Sequence, residues 1–159
     1  MDPILKLLKE DASLSPATIA GRLGKTEDEV VKAIKGFESD HVILGYRTLV
    51  NEHLMGLNRV RAVIEVKTTP EREGGFNRIA TRVAKFDQVR SCYLMSGSYD
   101  LMVIVEGSGL HEVASFVAEK LATLEGVIST ATHFMLKPYK EHGVLMHRDE
   151  NPDRLKVTP

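Results

Sequence analysis

Gly97-Ser98-Tyr99-Asp100 lies between two apolar runs, Tyr93-Leu94-Met95 and Leu101-Met102-Val103-Ile104-Val105, and sets one carboxylate just past a glycine-led turn. The β-branched and aromatic content of the runs predicts two strands, and a two-residue connection opening on Gly97 is what a type II′ hairpin requires. Asp100 is then the odd residue. It either caps its own turn or meets a positively charged ligand. A free amino acid carries an ammonium and a carboxylate at fixed separation. Asp100 can meet the first, and the backbone N–H groups of Gly97, Ser98 and Tyr99 can take the second, with Gly97 permitting close approach. Thr130 and Thr132 point to one face of the last predicted strand by its period of two. Each also reads as an ordinary sheet former, and Tyr99 equally as a packing residue.

Other chemistry is poorly served. His41, His53, His111, His133, His142 and His147 show neither H-x-x-x-H nor H-E-x-x-H spacing and read as structural or surface residues. Gly74-Gly75 lacks the G-x-G-x-x-G pattern of a phosphate cradle. Cys92 is the single cysteine, which excludes an internal disulfide and a cysteine zinc cluster and fits a reducing compartment. No catalytic residue, metal or cofactor is expected. The formal net charge is -1. No segment is net basic, so nucleic-acid affinity would have to come from local placement of Lys and Arg. No run is long and apolar enough for a membrane span, and the N-terminus lacks signal-peptide character, so a cytoplasmic protein is expected.

The first 40 residues predict three short helices. Asp2-Pro3 and Ser15-Pro16 are N-cap and N1 pairs; the first opens a stripe of Ile4, Leu5, Leu7 and Leu8, the second a helix through Ile19, Ala20 and Leu23 that ends at Gly24. Thr26 with Glu29 forms a capping box for the third, which carries Val30, Ile34 and Phe37 on one face. The break at Gly24-Lys25 suits a helix-turn-helix. Residues 42–50 look extended, and residues 51–58 form a linker turning at Gly56.

From there the period alternates between two and 3.6. A strand over 61–67 is followed by a helix carrying Phe76, Ile79, Val83 and Phe86. After the hairpin, Ser108 caps a helix with the stripe Leu110, Val113, Val117, Leu121 and Leu124, ended by Gly126. A last strand spans 127–136, and residues 139–159 read as a polar tail. The order β-α-β-β-α-β is ferredoxin-like, with both helices on one sheet face.

The whole arrangement over residues 2–138 resembles the Lrp/AsnC, or feast/famine, family of regulators. The marks are Ile19-Ala20-Gly21-Arg22-Leu23-Gly24, the exit segment His41-Val42-Ile43-Leu44-Gly45-Tyr46, and Gly97-Ser98-Tyr99-Asp100, which is similar to the family's G-x-Y-D turn. The resemblance implies an α+β protein: a winged-helix-like helix-turn-helix domain over 1–50 that binds double-stranded DNA, a linker over 51–58, and a βαββαβ sensing and oligomerisation domain over 59–138. It also implies an amino-acid effector held between subunits by Gly97, Ser98, Tyr99, Asp100, Thr130 and Thr132, in homodimers that pair strands and assemble into tetramers or octamers.

Arg22, Lys25, Thr26, Lys32, Lys35 and Arg47 are the candidate DNA contacts. Family members usually carry an arginine at the position of Ala33, and the third helix starts Glu27-Asp28-Glu29. These carboxylates suit the helix dipole better than a phosphate, and Asp28 with Lys32 can equally form an i, i+4 pair on a solvated face. Two alternatives follow. One is an amino-acid-sensing oligomer whose helix-turn-helix has lost DNA binding, and the other is a siroheme-decarboxylase-like enzyme.

Overall fold

The computed structural model describes residues 1–52, 54–70 and 75–146, and the chain divides into two compact units, Met1–Val50 and Asn51–Pro159. In the first, α1 (Pro3–Glu10), α2 (Pro16–Leu23) and α3 (Glu27–Ser39) start on the expected caps. The Asp2 carboxylate accepts from the N–H of Ile4 at 2.7 Å, and the Ser15 hydroxyl accepts from that of Thr18 at 3.1 Å. Gly24 ends α2 at φ +62°, a left-handed conformation that costs glycine nothing. Ile4, Leu8, Ile19, Ala20 and Val30 form the buried core, with Ala33, Ile34 and Phe37 packed around it.

The exit strand expected over 42–50 does not form. The chain turns at His41 (φ +55°), and the N–H groups of Val42 and Ile43 both return to the Phe37 carbonyl, at 2.8 and 2.9 Å. Residues 43–50 join no sheet among the described residues. Val42, Leu44 and Tyr46 are left exposed.

The second unit holds β1 (Val60–Thr68), α4 (Asn77–Ala84), β2 (Val89–Leu94), β3 (Leu101–Gly107), α5 (Leu110–Ser115) and β4 (Val127–Phe134). The strands form one antiparallel sheet in the order β2-β3-β1-β4. Alternation along β1 and β3 turns Ala62, Ile64, Val66, Leu101, Val103 and Val105 inward. There they pack with Ile79 and Val83 of α4 and with Val113 of α5. That face is the core.

Four local expectations are corrected. The hairpin loop is longer than two residues: Leu94 pairs Leu101, residues 95–100 lie between the strands, and the N–H of Met95 closes the loop on the Asp100 carbonyl at 2.8 Å. Gly97 has φ +150°, outside the type II′ geometry. Gly109, not Ser108, is the N-cap of α5; Ser108 instead donates its N–H and hydroxyl to one Glu112 oxygen at 2.7 and 2.6 Å. Leu110 sits at the first helical position and stays 59% exposed, while a π-helical continuation, Phe116–Leu121, turns Phe116, Val117 and Leu121 inward together. The wider turn advances the inward face by one residue. Lastly, β4 ends at Phe134, and the start of the polar tail is a hairpin of β5 (Lys140–Glu141) and β6 (Val144–Leu145). Its turn residues, His142 and Gly143, both have positive φ, as a two-residue type I′ turn requires. The expected tail beyond residue 146 lies outside the described residues, as do His53, Gly74 and His147.

Gly126, between the π turn and β4, has φ +91°, and a Cβ there would lie 2.6 Å from Ile79 Cδ1. Only glycine satisfies both the turn and the close approach of α4.

Candidate functional site

The loop over 95–100 is anchored by long-range bonds. The Asp100 N–H donates to the Val66 carbonyl at 3.0 Å, and its Oδ2 accepts from the Thr68 N–H at 2.7 Å. Both partners lie at the end of β1, where a register shift between Lys67 and Thr68 breaks the ladder to β4. A bulge of this kind frees a backbone N–H that the ladder would otherwise use. Asp100 thus has a structural role, and its Oδ1 has no hydrogen bond among the described residues. Gly97 and Ser98 are exposed and Tyr99 half-buried. Their three backbone N–H groups likewise have no acceptor among the described residues.

Thr130 is brought near this end and Thr132 is not. Leu101, Val66 and Thr130 form one row across β3, β1 and β4, which places Thr130 about 10 Å from Leu101 at the usual strand spacing. Thr132 pairs Ile64, about 7 Å further along the strand. Both threonines share the helix-covered side with Ile64 and Val66 and are half-buried there. Thr68 is not legible as a site residue from the sequence. It is 4% exposed, and its hydroxyl has no partner among the described residues.

A second polar group lies at the other end of β1. The Glu106 carboxylate, with its side chain only 5% exposed, receives Arg59, Arg61 (Nε, 3.3 Å) and Arg90 (Nη2, 3.2 Å). Arg90 is the extra residue of a β2 bulge opposite β3, which re-aims its side chain. Burial alone would push the Glu106 carboxyl up, but the Arg59 hydrogen bond and the Arg90 charge outweigh it and hold the group below its ordinary value. Arg61 also binds Glu52 at 2.5 Å and Glu141 at 2.7 Å. The available signal was Arg59 and Arg61 at a spacing of two, beside a lone glutamate in an apolar strand.

In the helical unit, Arg22, Lys25, Lys32 and Lys35 are all exposed on or beside α2 and α3. Among the described residues no ion pair joins Asp28 to Lys32, so the pairing alternative for Lys32 is not realised. Thr26 is engaged in the capping box: its hydroxyl meets Glu29 Oε2 at 2.9 Å, and its N–H reaches the same oxygen at 2.8 Å. The bonds from the Thr26 backbone and hydroxyl hold the Glu29 carboxyl low, so it stays charged at the start of α3. Arg47 stands apart from this set, lining a cleft of about 500 Å³ beside Leu5 and Leu8 of α1.

Together these units define a class, a helix-turn-helix module in series with a βαββαβ sensor module. The model of the Lrp/AsnC ligand-binding domain matches residues 61–145. Over 157 residues the chain is 40% identical to the uncharacterized HTH-type transcriptional regulator YugG of Bacillus subtilis (strain 168), covering 98% of this chain and 95% of that one. It is 23% identical to the leucine-responsive regulatory protein of Escherichia coli (strain K12), covering 90% of this chain and 87% of that one. The crystal structure of a transcriptional regulator from Neisseria meningitidis in complex with L-Met shares the fold. That match has a TM-score of 0.70 at 22% identity, covering 87% and 89% of the two chains.

The chain belongs to the Lrp/AsnC family of transcriptional regulators. It is a regulator and not an enzyme, which disposes of the siroheme-decarboxylase alternative. Among the described residues no helix is long and apolar enough to cross a membrane, and no group of three His, Cys, Asp or Glu residues could hold a metal.

Proposed function

We propose that this regulator binds double-stranded DNA through residues 1–50 and an amino acid through the 97–100 loop of its second unit, in the cytoplasm. The observation that carries the sensor half is the loop itself. Among the described residues its three consecutive N–H groups have no acceptor, and one oxygen of the Asp100 carboxylate has no donor. A zwitterion carries the complementary pair of groups. Thr130 and the buried Thr68 hydroxyl, without a partner among the described residues, stand at the same end of the sheet. Thr132 stands one register pair further away and is the weaker contact.

For the DNA half, α3 after a left-handed glycine turn is the recognition element, with Arg22, Lys25, Lys32 and Lys35 as phosphate contacts and Arg47 as an outlying one. Thr26 serves the helix start first, since its hydroxyl is already bonded. The exposed residues Glu27, Asp28 and Glu29 favour a second reading, a sensor without DNA binding. The extended segment with exposed Val42, Leu44 and Tyr46 supports homodimers formed by strand pairing, and higher assemblies such as tetramers or octamers raise DNA affinity through effective concentration. Effector binding between subunits then shifts the balance of assemblies and, by linkage, DNA affinity.

The test is fluorescence anisotropy with a fragmented genomic DNA pool at low salt, with and without each amino acid. Binding that responds to one amino acid supports the reading. Absence of binding at about 20 mM salt, where electrostatic affinity is greatest, leaves the sensor-only reading.

A further inference from the structure

The tail hairpin β5–β6 pairs only with itself among the described strands, yet it is not loose from the second unit. One guanidinium holds it. Arg61, with its side chain 18% exposed, contacts three carboxylates from three separate stretches of chain. These are Glu52 just after the boundary between the units, Glu106 at the end of β3, and Glu141 in the hairpin. A parallel tie runs from the Asn51 side-chain amide to the Met146 carbonyl at 3.4 Å, and the Met146 N–H closes on the Tyr139 carbonyl at 3.0 Å. The first residues of the second unit and its hairpin are therefore fastened to each other and to the same end of β1.

The other end of that strand carries Thr68, which grips Asp100. Arg61 and Thr68 are seven residues apart, about 23 Å along an extended strand, with both sides of the strand laddered. A central strand paired on both edges resists bending more than a strand with a free edge. It joins the candidate effector loop to the point at which the chain leaves for the helical unit.

We infer that Arg61 is a positioning residue that locks Asn51, Glu52 and the 140–145 hairpin onto β1 as one body, so that the first residues of the second unit move with its sheet. This rests on the sensor reading above only for its functional consequence, that effector binding is felt at the DNA-binding unit. The lock itself is a property of the second unit. Guanidinium geometry explains the choice of residue, because a planar fork can serve several carboxylates at once whereas an ammonium is a single point.

The experiment uses the full chain and three variants, Arg61→Gln, Glu141→Gln and Asn51→Ala, followed by amide hydrogen exchange. Among the described residues no hydrogen bond or ion pair joins Glu141 to residues 51–58, and Asn51→Ala, which removes only the separate tie to Met146, shows how much of any change that tie carries. The expected result is exchange at least about tenfold faster in both 51–58 and 140–145 for Arg61→Gln and for Glu141→Gln, with the amides of β1 and β3 unaffected. Unchanged exchange over 51–58 in Glu141→Gln overturns the lock even if Arg61→Gln fails to fold. In the same proteins, the ratio of DNA affinities with and without the stabilising amino acid should fall towards one while amino-acid affinity is retained. A ratio equal to the parent's in variants that have lost the lock overturns its role in transmission. A parent protein whose DNA affinity ignores every amino acid overturns the regulatory reading instead, and the exchange result still decides the lock.

Discussion

The backbone N–H of Thr68 donates a 2.7 Å hydrogen bond to Oδ2 of Asp100, tying the tip of the β2–β3 hairpin to the bulged end of β1. One carboxylate oxygen is thereby fixed in place, while the other has no hydrogen bond among the described residues. Removing the acceptor and removing the charge become separable. Asp100→Ala orphans a backbone donor and should cost about 1.5–3 kcal/mol, the range for a hydrogen bond to a charged group. Asp100→Asn keeps an oxygen for Thr68 and should cost much less. Urea denaturation of both variants checks this, and equal losses would show that the bond does not hold the loop.

Gly126→Ala should destabilise the second unit by about 1–3 kcal/mol, combining positive-φ strain with overpacking against a buried isoleucine. The added Cβ would meet Ile79 Cδ1 at 2.6 Å, and Ile79 is only 2% exposed, with little room to retreat. Trimming the obstacle in Gly126→Ala with Ile79→Val should recover part of the loss. A double variant whose loss is the sum of the two single losses would contradict the contact.

Stability should fall in acid through Glu106. Its folded-state pKa is held below the ordinary glutamate value of 4.5 chiefly because the Arg59 and Arg90 interactions outweigh burial. Between the folded value and the ordinary one, the unfolded chain binds more protons than the native one, so stability rises with pH there. The contribution is complete above the ordinary value and is lost as pH falls through the folded value. Glu106→Gln should flatten that part of the pH profile of the melting temperature. A variant profile parallel to the parent's would remove Glu106 as its source.

Lys32→Ala and Lys35→Ala should weaken DNA binding at every sequence tested and reduce the salt slope by about one for each phosphate no longer neutralised. Both lysines are exposed and make no ion pair among the described residues, so the melting temperature should hardly move. Binding titrations at several salt concentrations read this directly. An unaltered slope in both variants would take α3 out of the phosphate interface.

What can be read from the chain is what local chemistry decides. Asp2-Pro3, Ser15-Pro16 and Thr26 with Glu29 start their helices as written, because capping needs only near neighbours. The hairpin loop escapes a local reading because the Asp100 N–H and carboxylate answer to Val66 and Thr68, while only its carbonyl closes its own turn. The Arg61 group is only partly legible for the same reason, since Arg59, Arg61 and Glu106 stand out beside apolar strands but Glu141 lies 80 residues away. The π turn at Phe116–Leu121 breaks the 3.6 period on which its stripe is counted. Asp100 itself stands out at once, as a charge at the mouth of two apolar strands.

The most direct measurement is a thermal-shift screen of the full chain against the amino acids, repeated with Asp100→Asn. A ligand that binds only the native state raises the melting temperature by mass action. We expect at least one amino acid to raise it in the parent, and the rise to disappear in Asp100→Asn, which retains its acceptor for Thr68 but not its charge. A rise of the same size in that variant would contradict Asp100 as the ammonium contact, and with it the proposed sensor site.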